Sequence, residues 1–277
     1  MSPLLSNRTG TSTPLRTKVP EITLLFWVVK LLTTGIGEAA SDFLGAKSIP
    51  LAAAVGLVGF VVAMWWQLRT RAYSPAPYWF AVSMVAVFGT MAADGLHKFV
   101  GLPYGVTTVM YAIAVAVVFF LWHRSERTLS IHSIVTRRRE TFYWSTVLAT
   151  FALGTAAGDV AAFTLHLGYL ASAVLFAAAI LVPAIAWARR WLNPIAAFWC
   201  AYVLTRPLGA SIADWLGKPR NLSGLGYGDG VVTVVGAVAI AAFVAYLVAR
   251  HDSGPGFVAA TAPAADLTRE DAAPGGH

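Results

Sequence analysis

Residues 198–214 read FWCAYVLTRPLGASIAD. The spacing of Trp, Gly and Asp in this stretch, called the frame below, decides the fold of the whole chain. An aromatic residue and Trp199 are followed by Gly209 and then, directly after a small residue, by Asp214. The same spacing recurs without a gap as Trp27–Gly37–Asp42, Trp79–Gly89–Asp94 and Trp144–Gly154–Asp159. Four equally spaced copies indicate an internal repeat, and a repeat determines the architecture before any single helix does.

The composition places this repeat in a membrane. The chain is 57% hydrophobic and 12% charged, whereas a soluble domain has about 25% charged residues. Apolar runs such as 171–188 and 231–249 are long enough to cross a bilayer, which takes about 20 residues. The single cysteine, Cys200, lies in an apolar run, which excludes a disulfide framework and a cysteine-ligated metal.

The apolar runs predict an all-α membrane protein with eight transmembrane helices in four two-helix repeats. The helices are expected near residues 20–44, 49–68, 78–97, 104–122, 140–165, 169–188, 193–216 and 231–249. They form a membrane domain over residues 18–250, with repeats at about 18–72, 73–136, 137–190 and 191–250. The polar segments 1–17 and 251–277 are expected to be disordered tails.

The distribution of Lys and Arg predicts that both tails are cytoplasmic. Eight helices put the two termini on one side, and 14 of the 20 Lys and Arg fall in the tails and loops of that side. The opposite loops hold Lys47, Lys98, Lys218 and Arg220. This bias follows the positive-inside rule, and it explains the net charge of +7 without nucleic acid as a partner.

The frame places one carboxylate at the same depth on each of four parallel helices. All motif helices run outward, so the repeats are related by an axis along the membrane normal. From Trp to Asp the frame spans about 22 Å of helix, at about 1.5 Å per residue. Asp42, Asp94, Asp159 and Asp214 therefore lie near the outer end. A ring of four carboxylates would attract cations, whereas a single Asp could simply lie at headgroup level or cap a loop.

Other polar residues extend this candidate ion-binding site. Glu38 projects between the Trp and Asp directions of its helix, and Thr90 and Thr155 directly follow motif glycines. His97 and His166 lie at the outer ends of their helices and are candidate ligands for a divalent metal cation. The alternative for both histidines is an interfacial position without a ligand.

Two cations within the helices, Lys30 and Arg206, indicate a buried charge network. Lys30 lies two turns from Glu38, and Arg206 lies two turns from Asp214, so each helix could hold its own ion pair. Such pairs could simply neutralise buried acids. The alternative is a network that opens and closes a pathway or binds an anion.

The four-fold frame resembles an uncharacterised family of bacterial integral membrane proteins. Members of that family have four tandem repeats of unknown function, each with two membrane helices and a characteristic Trp. The matching residues are Trp27, Trp79, Trp144 and Trp199 with their Gly and Asp partners. The resemblance covers about residues 18–250 and implies an eight-helix protein of the bacterial inner membrane, but it implies no substrate.

Three functions remain open. The leading hypothesis is a transporter or channel-like permease for a cation, either a divalent metal or a proton, that enters through the acidic ring. An intramembrane enzyme with a carboxylate and histidine site around a metal ranks second, because the sequence has no catalytic motif. A sensor or assembly protein that uses the loop 123–139 ranks third. The expected partners are the lipid bilayer and a small cation, and the oligomeric state stays open.

Overall fold

The computed structural model describes residues 17–98 and 100–252. The long helices in these ranges are α1 (Leu24–Lys47), α2 (Ile49–Arg69), α3 (Pro75–Lys98), α4 (Tyr104–Glu126), α5 (Arg137–Asp159), α6 (Gly168–Ala188), α7 (Pro194–Gly217) and α8 (Asp229–Asp252). The described ranges contain no strand, and all eight helices are long and apolar enough to cross a membrane. The predicted all-α, multi-pass membrane fold is therefore confirmed. The predicted tails lie almost entirely outside the described residues.

The helix ends follow local side-chain chemistry. Thr23, Ser48, Thr136 and Asn193 each precede a helix and accept a hydrogen bond from a backbone N–H of its first turn. Helix α3 begins at Pro75, earlier than the predicted residue 78, because a proline suits the first turn of a helix. Helix α5 continues as a short, wider π-helical turn over Val160–Thr164.

The four motif helices form an inner ring that closes on itself. Helix α1 packs against α3, α3 against α5, α5 against α7, and α7 against α1. The even-numbered helices cover this ring, with α2 on α3, α4 on α5, α6 on α7 and α8 on α1. In an apolar stretch of 18 residues within each motif helix, 50–56% of the residues are buried. The corresponding stretches of the even-numbered helices are 0–22% buried. Each even-numbered helix therefore presents most of its surface to lipid and covers the motif helix of the next repeat.

The motif glycines are the contact points of the inner ring. Each one lies against the residue three positions before the motif glycine of the neighbouring motif helix. The pairs are Gly37 with Ala86, Gly89 with Phe151, Gly154 with Arg206 and Gly209 with Thr34. At all four positions a Cβ would come within 3.0 Å of a neighbouring atom. Only glycine therefore permits this helix spacing.

Aromatic pairs form a second closed ring at the other end of the frame. In each repeat the motif Trp packs on an aromatic residue of the preceding repeat, namely the one directly before that repeat's own Trp. The first repeat packs in the same way on the fourth. The ring centroids are 5.7 Å apart for Trp79 and Phe26, 5.6 Å for Trp144 and Tyr78, 6.2 Å for Trp199 and Tyr143, and 5.7 Å for Trp27 and Phe198. Aromatic pairs at such distances contribute about 0.5–1.5 kcal/mol each beyond their burial. We call this end of the bundle the tryptophan end, and the end with the motif aspartates the acidic end.

The segment before α1 packs across the tryptophan end. Its Lys18 Nζ lies 2.6 Å from Oε2 of Glu140 in α5, and both side chains are buried. The backbone N–H of Lys18 also donates to the carbonyl of Ile134 in the loop before α5. The first residues of the membrane domain therefore connect the first repeat to the third.

Candidate functional site

Equivalent residues of the four motif helices are buried together at several levels inside the ring. The level directly after the motif glycine holds Glu38, Thr90, Thr155 and Ala210. The next level, four positions before that glycine, holds Thr33, Val85, Thr150 and Thr205. The deepest of the three levels, seven positions before the glycine, holds Lys30, Val82, Val147 and Tyr202. None of these residues is more than 5% exposed. The repeats thus share their backbone positions but place unlike side chains inside the ring.

Arg206 of α7 binds to residues of the other three motif helices. Its Nη2 donates to Oε2 of Glu38 at 2.6 Å and to the Thr155 hydroxyl at 2.8 Å, and it also contacts the Thr90 hydroxyl. Its Nη1 donates to the Thr34 carbonyl at 3.0 Å. Arg206 is 1% exposed and Glu38 is 5% exposed, so this is a buried ion pair at the centre of the bundle.

This ion pair differs from the two pairs that the sequence spacing suggested. Arg206 reaches across the ring to Glu38 and not along its own helix to Asp214. The reason is that the guanidinium group lies level with the residues that follow the motif glycines of α1, α3 and α5. Glu38 is therefore paired with Arg206. The predicted pair of Glu38 with Lys30 does not form, since Nζ of Lys30 has no hydrogen-bond partner among the described residues.

The amine of Lys30 lies between aromatic rings deeper in the bundle. Its Nζ is 4.2 Å from the ring centroid of Phe151 and 4.2 Å from that of Tyr202. Lys30 is 1% exposed, and within the described residues its Nζ has no hydrogen-bond partner. The Phe151 ring also lies 5.4 Å from the guanidinium carbon of Arg206, so the two buried cations share one aromatic side chain.

The acidic end contains the motif aspartates and two lysines. Nζ of Lys218 lies 2.5 Å from Oδ2 of Asp42, 2.9 Å from Oδ2 of Asp229 and 3.8 Å from Oδ1 of Asp214. Burial disfavours the charged form of Lys218, but the attraction of Asp42, Asp214 and Asp229 outweighs it and raises the pKa of this amine above its usual value. Lys218 therefore stays charged and neutralises part of the acidic end.

The other two motif aspartates have different surroundings. Asp94 pairs with Lys98 one turn further along α3, with Oδ2 and Nζ 2.7 Å apart. The same Nζ lies 4.0 Å from Oδ1 of Asp42. Asp159 ends the regular part of α5, where the helix widens into the π-helical turn. The four aspartates are thus at one end of the bundle but are not equivalent.

Glu38, Asp42 and Asp214 form the candidate cation site. One carboxylate oxygen from each of the three residues lies within 4.8 Å of the other two. Oδ1 of Asp214 is buried and has no hydrogen-bond partner in the described part of the chain. Carboxylate oxygens without sulfur or imidazole suit hard cations such as Mg²⁺, Ca²⁺ and Mn²⁺. Glu38 links this site to Arg206.

The predicted histidines and Thr155 lie outside this site, whereas Thr90 borders it. Nδ1 of His97 is 2.7 Å from the carbonyl oxygen of Leu102, and its ring stacks on Tyr104 with the centroids 3.7 Å apart. His166 is exposed in the turn after α5. Thr90 and Thr155, predicted as ion ligands, contact Arg206, and the Thr90 hydroxyl also donates to Oε2 of Glu38 at 3.3 Å. Of the predicted residues, the structure brings Glu38 together with two of the four aspartates.

Comparison with known proteins agrees with the repeated architecture. The family described as "Repeat of Unknown Function (DUF347)" matches residues 77–128, 142–191 and 197–252, which is more than half of the chain. The chain belongs to the DUF347 repeat family. The matched segments are the second, third and fourth repeats, and the first carries the same frame at Trp27, Gly37 and Asp42. Neither the curated proteins nor the solved structures gave a significant match.

The DUF347 repeats of this chain contain site residues that the sequence reasoning missed. Lys98 and Lys218 each follow a motif aspartate by four residues, and each lies within 4.0 Å of that aspartate. The signal was present in the sequence, because residues four apart share one face of a helix. Asp229 gave no such signal, since it belongs to the start of α8 and approaches Lys218 only in three dimensions.

Proposed function

We propose that this protein is a membrane transporter for a small cation, which enters at the acidic end. The observation that carries the proposal is the double role of Glu38. Its carboxylate converges with those of Asp42 and Asp214, and it also accepts the 2.6 Å hydrogen bond from Arg206. A cation bound to the three carboxylates therefore competes with Arg206 for Glu38. Cation binding would release the buried ion pair that fills the centre of the ring.

Charge at the acidic end supports the binding of a cation. The carboxylates of this region belong to Glu38, Asp42, Asp94, Asp159, Asp214 and Asp229, and its cations are Arg206, Lys98 and Lys218. When all nine groups are ionised, the region has three more negative than positive charges. Ionisable groups within a membrane are costly unless they are paired or hydrated. A bound cation would reduce this excess at the point where the ligand oxygens are closest.

Exchange of partners keeps the buried carboxylate of Glu38 paired with a positive charge. Removal of one member of a buried ion pair costs about 3–5 kcal/mol, because the other charge is left without compensation. If a cation takes Glu38, the carboxylate keeps a positive partner. Arg206 keeps the Thr34 carbonyl and the Thr155 hydroxyl. The change of partners therefore leaves Glu38 paired, and Arg206 keeps hydrogen bonds but loses its counter-charge.

The rest of the bundle interior supports transport over an enzymatic site. Polar side chains continue below the ion pair through Thr33, Thr150 and Thr205 to Lys30, Tyr202 and the Tyr78–Tyr143 pair. Nδ1 of His97 contacts the Leu102 carbonyl and His166 is exposed, so the described residues of the three-carboxylate site include no histidine. With cytoplasmic tails, as the Lys and Arg bias favours, the acidic end faces outward in a bacterial inner membrane.

Mn²⁺ binding tests the proposal, because a free Mn²⁺ ion gives an electron paramagnetic resonance signal that broadens on binding. We expect Asp214→Asn to lower the Mn²⁺ affinity of the purified protein by at least about 10–100-fold, because loss of a residue that only orients a metal ligand already costs that much. Asp94→Asn is the matched control, since it changes the same position of the frame but lies outside the three-carboxylate site. Vesicles with the wild-type protein should take up Mn²⁺ faster than empty vesicles. Equal affinity of the wild type and Asp214→Asn, or equal uptake by both vesicles, would contradict the proposal.

A further inference from the structure

Lys30 is a buried amine that the cation site does not use. It lies in the first motif helix, 1% exposed, and within the described residues its Nζ contacts ring faces in place of hydrogen-bond acceptors. Structural lysines within membranes pair with acids or extend toward the interface. Lys30 does neither, because the nearest level with an acid, that of Glu38, is occupied by Arg206.

The groups around Lys30 permit a change of its charge. Helix α7 contributes Tyr202 and Arg206, and α5 contributes Phe151 and, one level deeper, Tyr143. Helix α3 contributes Tyr78 at that deeper level, and α1 itself contributes Glu38 two turns away. Two aromatic faces stabilise an ammonium by about 2 kcal/mol or more when it is desolvated. A neutral amine is tolerated at the same place, because it does not carry the desolvation cost of a charge.

We propose that Lys30 binds and releases a proton during the transport cycle, so that the cation and a proton exclude each other. This inference rests on the proposed function and adds that the counter-ion is a proton. A cation at Glu38 frees Arg206, whose guanidinium group already shares the Phe151 ring with Lys30. Two unpaired positive charges beside one ring repel each other, and Lys30 is the one that can lose its charge.

The proton step balances in atoms, and a divalent cation that enters for one released proton adds one net positive charge to the bundle. The bond between Nζ of Lys30 and one hydrogen breaks, the electron pair stays on the nitrogen, and the proton passes to solvent water or buffer at the tryptophan end. The Tyr78 and Tyr143 hydroxyls lie on that side, 2.6 Å apart. Tyr73 packs edge-on against Tyr78 and lines a cavity at the tryptophan end with Glu21. Protonation of Lys30 and binding of the cation are therefore reciprocal, and each weakens the other.

The test measures how many protons are released when Mn²⁺ binds. Titration calorimetry in buffers of different ionisation enthalpy gives this number for the wild type and for Lys30→Met. We expect Lys30→Met to release one proton fewer than the wild type when it binds Mn²⁺. In the pH range where Lys30 titrates, the Mn²⁺ affinity of the wild type should therefore change about tenfold more per pH unit than that of Lys30→Met. Lys30→Arg keeps a permanent charge and should bind Mn²⁺ about 5–150-fold more weakly than Lys30→Met at every pH, which is the usual range of coupling between two sites. Lys47→Met is the control, because it removes an exposed lysine of the same helix.

The outcomes separate this inference from the proposed function. If the wild type does not bind Mn²⁺, the proposed function fails. If the wild type binds Mn²⁺ but Lys30→Met releases the same number of protons, Lys30 is not the proton site and the proposed function survives. Lys30→Gln is a second neutral variant, so the comparison does not depend on the folding of Lys30→Met alone.

Discussion

Gly154 sets the distance between α5 and α7, so one added methyl group there should destabilise the protein. In Gly154→Ala the new Cβ would lie 2.5 Å from Cβ of Arg206 and 3.0 Å from Cδ of Pro207, and closer still to Cγ of Arg206. An ordinary van der Waals contact of a Cβ begins at 3.4 Å. Helix α7 must therefore move away by roughly 1 Å, and the guanidinium group of Arg206 must move with it.

Gly158, one turn further along α5, gives a matched comparison. A Cβ on Gly158 would lie 3.9 Å from Pro207, which is an ordinary contact. Gly→Ala within a helix stabilises it by about 1 kcal/mol, and this gain is the same at both positions. Overpacking costs about 1–3 kcal/mol, and each hydrogen bond to a charged group that is lost costs about 1.5–3 kcal/mol. Gly154→Ala should therefore unfold with a free energy at least about 1–3 kcal/mol lower than Gly158→Ala.

Unfolding of the two variants in mixed detergent micelles, followed by tryptophan fluorescence, measures this difference. The Mn²⁺ affinity of the same samples shows whether displacement of Arg206 also alters the cation site. If Gly154→Ala is as stable as Gly158→Ala, α5 and α7 are not in contact through Gly154. The closed glycine ring would then be wrong at this position.

The buried ion pair and the orientation give two further predictions. Arg206→Met should lower the free energy of unfolding by about 3–5 kcal/mol because Glu38 is left unpaired. The double variant with Arg206→Met and Glu38→Gln should recover most of that lost stability in the same unfolding assay. If the stability losses of the two single variants simply add up in the double variant, the ion pair is contradicted. Reporter domains fused after Lys98 and Lys218 should report an external location, whereas cytoplasmic signals there would place the acidic end inside.

The repeated frame made the architecture predictable. Fixed spacings from Trp to Gly to Asp predicted the number of motif helices, their common direction and the end of the bundle at which the aspartates lie. The glycines indicated close packing, and the structure shows that each one contacts the next motif helix. These properties depend on one helix at a time or on symmetry, so the sequence contains them.

The partners inside the ring were not predictable by the same reasoning. The angle around one helix shows that Arg206 and Glu38 project inward, but it does not show which neighbouring helix a long inward side chain reaches. Pairing along one helix therefore looked as good as pairing across the bundle. The aromatic environment of Lys30 was missed for the same reason, since Phe151 and Tyr202 belong to two other helices. The turn at Val160–Thr164 also has no counterpart in the frame.

The closed ring has a consequence for the origin of the chain. Each two-helix unit covers the next, and the last covers the first, so four separate identical units could assemble in the same way. In such a homotetramer, an arginine at the position of Arg206 would occur four times around the axis, and the four like charges would repel at close range. Fusion of the units into one polypeptide lets each copy diverge. Only then can one repeat supply the arginine, another the glutamate that binds it, and the other two the hydroxyl groups beside them.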